Sequence, residues 1–191
     1  ITALAPLMNL ASCNTRETVI IDAKSGISGV GRGGGNDTSF GFSEVNENVS
    51  AYKLTNHAHI QEIRSALGVL TSTVSVPVVF TPHLIPMTRG ILTTCYVRCN
   101  ENSGRCLEVA REFYKTSPFV RVSEKPPHSK WATGTNLVFV SYASNESEGL
   151  VTAIAVIDNL GKGTASQAIQ NANLMFGMDI SLGLDNTPLT P

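Results

Sequence analysis

Two histidines one residue apart, His57 and His59, stand at the head of a stretch with helical periodicity. The positive end of a helix disfavours an imidazolium, so a histidine there has its pKa drawn below the reference value of about 6.5 and keeps a neutral ring able to accept a proton. That is what a general base needs, although the same position also suits a capping or surface histidine. Adding His83 or His128 to make a three-histidine metal site finds no spacing that would set the geometry, and no metal is expected. Arg89 offers different chemistry: a planar guanidinium that grips a carboxylate or phosphate through two parallel hydrogen bonds, or that settles into an internal ion pair. Two glycine-rich stretches invite a phosphate reading and both fall short. The loop from Lys24 to Gly35 lacks the Gly-x-Gly-x-x-Gly spacing that opens a dinucleotide-binding helix, and Gly161-Lys162-Gly163-Thr164 has Val156 where a phosphate loop needs its first glycine. The first reads as a substrate-lining loop, and Lys162 as a cation at a helix start, where an anion would be welcome.

Four cysteines, at positions 13, 95, 99 and 106, do not make a disulfide framework in a chain with this much apolar residue for a core, so reduced thiols in a cytosolic protein are expected. On a regular strand Cys95 and Cys99 would lie about 13 Å apart, too far for one tetrahedral ion.

Positioning these groups falls to six strand-like runs, near residues 18–23, 75–80, 90–99, 119–122, 135–143 and 149–158. Helical spacing is read over 2–11, 59–68 with Gly68 as the residue that ends it, 105–115 and 163–177. The last of these places Ala165, Ala168, Ala172 and Met175 on one face, small enough for close approach to another element. Strands in consecutive runs with helices between only some of them predict an α+β fold, a mixed and largely antiparallel sheet with helices on one face.

Composition narrows the partners. Lys and Arg number 14 against 15 Asp and Glu, a net charge of −1, so there is no basic excess to hold nucleic acid or an anionic membrane. Charged residues make up only 15% of the 191, below the usual quarter or so, which predicts a surface partly buried against a partner subunit or a further domain. The opening ITALAPLMNLASCNT has no initiator Met, no basic stretch, and Pro6 inside its apolar run; it reads as neither signal peptide nor membrane anchor, but as the continuation of something longer.

The segments IIDAKSGISGVGR, SEVNENVSAY, NHAHIQEI, FTPHLIPMTRGIL, GTN and VIDNLGKGTASQAIQNANLMFG, in that order and across nearly the whole chain, resemble the N-acetyl-gamma-glutamyl-phosphate reductases of arginine biosynthesis. The resemblance implies a catalytic domain folded like that of glyceraldehyde phosphate dehydrogenase, and a division into a substrate-binding and dimerisation domain, 1–160, and a C-terminal helix and tail, 161–191, that packs on a nucleotide-binding half. The glycine fingerprint of that half, and the Pro-Gly-Cys-Tyr-Pro-Thr-like segment with the nucleophilic cysteine, are not in these 191 residues.

The implied reaction is reduction of an acyl phosphate. A thiolate attacks the carbonyl of N-acetyl-glutamyl phosphate, phosphate leaves, NADPH delivers hydride to the thioester and the semialdehyde departs, a sequence that needs an acid/base partner. By position in the motifs, His59 is that acid/base group. His57, Arg89, Ser25 and Tyr52 are substrate-side, with Glu47 nearby, and Gly26, Asn159, Lys162 and Gln167 face the NADP cofactor. Ala58, Ile60 and Gln61 depart from the family's usual Arg and Thr-Pro, which removes a cap and a cation from the helix start. The resemblance further implies a cytoplasmic homodimer or tetramer, with the 191 residues inactive alone. The alternatives are a non-catalytic assembly module and a sister reductase acting on aspartyl or aminoadipyl phosphate.

Overall fold

The computed structural model describes residues 1–31 and 38–185; the part of the glycine-rich loop from Arg32 to Gly35 and the end of the C-terminal tail lie outside them. The β-branched runs form a seven-stranded sheet from β1 (Val19–Ser25), β2 (Ser50–Ala51), β3 (Val78–Leu84), β4 (Ile91–Arg98), β5 (Val120–Val122), β6 (Val138–Asn145) and β7 (Leu150–Ile157). Their order is β2-β3-β1-β4-β7-β6-β5. Neighbours are antiparallel except β1 with β3 and β5 with β6, so the sheet is mixed and largely antiparallel, as the α+β reading expects. The helices are α1 (Phe42–Val45), α2 (His59–Thr71), α3 (Ser103–Phe113) and α4 (Ser166–Met175).

Alternation along the strands sorts the side chains to two faces. Val19, Ile21, Val78, Phe80, Cys95, Val97, Val138, Val140, Val151 and Ala153 point to the core, where Ile60, Ile63 and Leu67 of α2 and Cys106, Leu107 and Ala110 of α3 close over them. Each fully buried aliphatic side chain contributes about 1.5–3 kcal/mol relative to exposure. The opposite face carries Ile20 and Val79, both about half exposed, beside Asp22, Lys24 and His83. Asp22 forms an ion pair with Lys24 Nζ at 2.7 Å and lies 3.0 Å from His83 Nδ1. At the far end of this face Trp131 packs edge-on against Phe139.

Three sequence expectations are corrected. Residues 2–11 form a chain of turns, although Ala3, Leu4, Leu7 and Met8 are all buried. Pro6 has no N–H to give to Thr2, whose carbonyl accepts from Tyr114 Oη at 2.8 Å instead; Tyr142 Oη takes the Ala3 carbonyl at 3.0 Å, and Leu7 N–H turns to Leu4. Two tyrosine hydroxyls, that of the half-buried Tyr114 and that of the buried Tyr142, thus occupy the acceptors that an α-helix would have used.

Gly68 does not end α2, which runs on to Thr71 and is closed by Ser72 in the left-handed region. Its missing side chain serves the returning chain, because a Cβ there would lie 3.0 Å from Thr73 O.

Cys13 and Cys99 are joined in a disulfide, against the expectation of four thiols. Asn14 N–H donates to Arg98 O at 2.8 Å and Asn100 N–H to Ser12 O at 3.1 Å, a short antiparallel pairing that sets the two cysteines face to face across 86 residues of sequence. Cys95 and Cys106 stay free and buried, and burial pushes both thiols up to about 11.

Candidate active site

The end of the sheet where β1 stops and β4 starts gathers four segments. Gly26, Ile27 and Ser28 run beside Met87–Gly90, with Gly26 N–H donating to Gly90 O, Ile27 N–H to Met87 O and Ser28 N–H to Thr88 O, at 2.9–3.0 Å. A Cβ on Gly26 would sit 2.8 Å from Arg89 N, so the approach requires glycine. Asp158, just past β7, is fully buried. Its carboxylate accepts from Arg89 Nε at 2.8 Å, Gly134 N–H at 2.5 Å, Leu160 N–H at 2.9 Å and Gly161 N–H at 3.0 Å. Burial pushes this carboxyl up, but the Arg89 guanidinium and the three backbone donors outweigh it and hold the group below the ordinary carboxylate range. Asn159 completes the knot, accepting from Gly90 N–H at 2.6 Å and donating to Ser28 Oγ at 2.8 Å.

A second group lies over β3. Ala58 caps α2 without a side-chain hydrogen bond, and His57 takes over that role, its Nδ1 accepting from His59 N–H at 3.2 Å. An Nδ1 that accepts has no proton, so His57 is the neutral tautomer with hydrogen on Nε2. Desolvation, then the neighbouring His59 and Lys53, draws its pKa below the ordinary value. The two imidazoles are 4.5 Å apart, with Phe80 5.2 Å and Tyr52 5.8 Å from His57, centroid to centroid. The His59 ring is exposed.

These contacts place each nominated residue. Arg89 is in an ion pair and about one-third exposed, and among the described residues no hydrogen bond engages its two terminal nitrogens. Ser25 lies beside Gly26, and Glu47 sits exposed in the turn after α1. Of the residues expected to face the cofactor, Gly26 packs on backbone and Asn159 has both amide atoms engaged within the chain. Gln167 bonds Asn171 at 2.8 Å, and Lys162 bonds Gln170 at 2.5 Å above the Phe119 ring. Burial lowers the Lys162 pKa. In the chain by itself the polar groups of these four meet neighbouring residues. In this chain by itself Ala165, Ala168 and Met175 are exposed, and Asn173 is the buried side chain of α4. Leu174, Met175 and Phe176 present apolar surface to solvent.

Asp158 is a residue of this site that the motifs above do not single out. Its signal was its place in the ID-NLGKG run, where a carboxylate directly before a helix start finds free N–H donors.

The family model for the semialdehyde dehydrogenase dimerisation domain matches residues 1–159. The chain belongs to that family. Among curated relatives of this dimerisation-domain chain, the N-acetyl-gamma-glutamyl-phosphate reductase of Bradyrhizobium sp. (strain ORS 278) is 52% identical over 191 residues, covering all of this chain and 58% of the relative. That of Geobacillus kaustophilus is 42% identical, over 98% of this chain and 55% of the relative. The chain therefore spans a little over half the length of these relatives. In fold it is similar to aspartate semialdehyde dehydrogenase II from Vibrio cholerae, with a TM-score of 0.71 at 16% identity over 92% of this chain and 58% of that one. Among the described residues no helix is long and apolar enough to cross a membrane.

Proposed function

We propose that this chain is the substrate-binding and dimerisation part, residues 1–160, and the C-terminal helix and tail, 161–191, of a cytoplasmic reductase. The complete protein would convert N-acetyl-glutamyl 5-phosphate to the semialdehyde with release of phosphate. The observation that carries the reading is identity of 52% along the whole chain to a protein named for that activity. NADP would supply the hydride in such a reductase, held mainly by a nucleotide-binding half, with Gly26, Asn159, Lys162 and Gln167 on the side of this chain that faces it.

The chain's own contribution is proton handling and anion binding. His57 keeps Nδ1 occupied as an acceptor for His59 N–H, so it has only Nε2–H to offer, as a donor to substrate. His59, with an exposed ring 4.5 Å away, is then the group free to take and return a proton. Arg89 meets a carboxylate or phosphate, while Ser25 and Tyr52 line the approach. The open sheet face carrying Ile20 and Val79 suits a second copy of the chain, and the apolar surface of α4 suits the nucleotide-binding half.

The test is complementation. The 191-residue chain mixed with a separately made nucleotide-binding half of a relative should restore oxidation of NADPH by N-acetyl-glutamyl phosphate, and replacing His59 by Asn should abolish that restoration. Absence of restoration, with both parts folded and associated, overturns the reading.

A further inference from the structure

We infer that Asp158 is a positioning residue that turns Arg89 into a fixed receptor for an oxyanion. The geometry comes from the buried side. Both carboxylate oxygens of Asp158 lie 2.8 Å from Arg89 Nε, which fixes the inner edge of the guanidinium, and no hydrogen bond among the described residues takes the two terminal nitrogens, which face a ligand. The carboxylate is itself immobile, because Gly134, Leu160 and Gly161 N–H groups hold it from three further directions and its side chain has no exposure to water. A free arginine at the surface samples many rotamers, and binding must freeze them; an arginine already held by a charge-assisted bond presents its fork with that ordering done. Lysine cannot replace it, since a point charge lacks both the Nε contact and the fork.

The arrangement also explains why four separate segments converge here. Asn159 ties Gly90 and Ser28 together, and Gly26 seats its backbone directly against Thr88 and Arg89, so the loop carrying Arg89 is braced on two sides while Asp158 braces its side chain. The ligand class is an anion with two oxygens in one plane, a carboxylate or a phosphate. This inference rests on the proposed function for the anion-binding role of Arg89; what it adds is the part played by Asp158.

The experiment is calorimetric titration of the 191-residue chain with inorganic phosphate and, separately, with N-acetyl-L-glutamate, which distinguishes the two sources of oxyanion. Saturable binding of one or both by the natural chain is expected, with loss in Arg89→Gln. Asp158→Asn and Arg89→Lys should each weaken binding about tenfold or more, and the double variant should be no more than about twofold worse than Arg89→Lys, because both remove one shared device. Full additivity in the double variant, or unchanged affinity in a folded D158N, overturns the inference, as does the absence of saturable binding by the natural chain.

Since D158N removes a buried charge and can lose the fold, NMR of the natural chain supplies a second readout. The Arg89 Nε–H signal should be protected from exchange, and the terminal NH2 signals should move on adding the anion. A rapidly exchanging Nε–H refutes the positioning. Failure of complementation leaves these measurements untouched, and equal affinities in natural and D158N chains leave the reductase reading untouched.

Discussion

Replacing Gly26 by Ala is a sharp test of how the Arg89 loop is built. Gly26 has φ −70° and ψ 153°, a conformation open to any residue, so the substitution costs nothing in backbone strain. Its effect is steric alone. The new Cβ would stand 2.8 Å from Arg89 N and 2.9 Å from both C and O of Thr88, all backbone atoms that no rotamer change can move. Restoring an ordinary contact of about 3.5 Å requires the two segments to part by roughly 0.6 Å. That shift stretches the hydrogen bonds from Gly26, Ile27 and Ser28, now 2.9–3.0 Å, to the edge of useful length. At about 1 kcal/mol per bond, and 1–3 kcal/mol for overpacking, the expected destabilisation is about 3 kcal/mol. For a chain of this size that lowers the melting midpoint by about 6–12 °C.

Urea unfolding followed by the fluorescence of Trp131, the sole tryptophan, measures it directly. Gly177→Ala is the contrasting control: φ there is 65° with nothing within 4 Å of the added atom, so the loss is conformational and about 1–2 kcal/mol. A G26A chain within about 0.5 kcal/mol of the natural one would refute the close-approach argument.

Three further outcomes are expected. Tyr142→Phe leaves the buried Ala3 carbonyl without its donor and should destabilise the chain by about 1–2 kcal/mol in the same urea assay, with faster amide exchange across residues 2–11. Reduction of Cys13–Cys99, or the Cys13→Ser variant, frees a loop of 86 residues in the unfolded chain and should cost about 2–5 kcal/mol, read as a lower melting midpoint in reductant. Because the folded chain holds His57 below its unfolded pKa, the unfolded state binds more protons between those two values; the His57 contribution is therefore complete above about pH 6.5 and declines as pH falls through that window. His57→Asn, which can still cap α2, should flatten that part of the stability curve against pH.

The strands were legible because β-branched runs of buried residues carry their own signal. β2 was not, being two exposed residues whose pairing is made only by β3. The turns at 2–11 are not legible, because apolar spacing cannot reveal that Tyr114 and Tyr142, more than 100 positions away, claim the carbonyls. The histidine pair was legible as chemistry, but local spacing could not tell that the first ring would cap the helix and so divide the roles. Arg89 was readable as either anion binder or ion-pair partner; the structure pairs one edge of it and leaves the other, a division that depends on Asp158 arriving from β7. The disulfide was hidden for a similar reason, since Cys13 and Cys99 meet through a backbone pairing of long sequence separation.

The covalent tie between residues 13 and 99 also governs how the molecule responds to a protease. Lys53 is exposed, with an exposed Leu54 after it, and both lie between the tied cysteines. A single tryptic nick there opens the backbone yet releases nothing: the two pieces keep sharing adjacent strands, β1 from one and β3 and β4 from the other, and stay bonded through sulfur. On a gel run without reductant the clipped molecule would travel as one band, and only thiol treatment would reveal two.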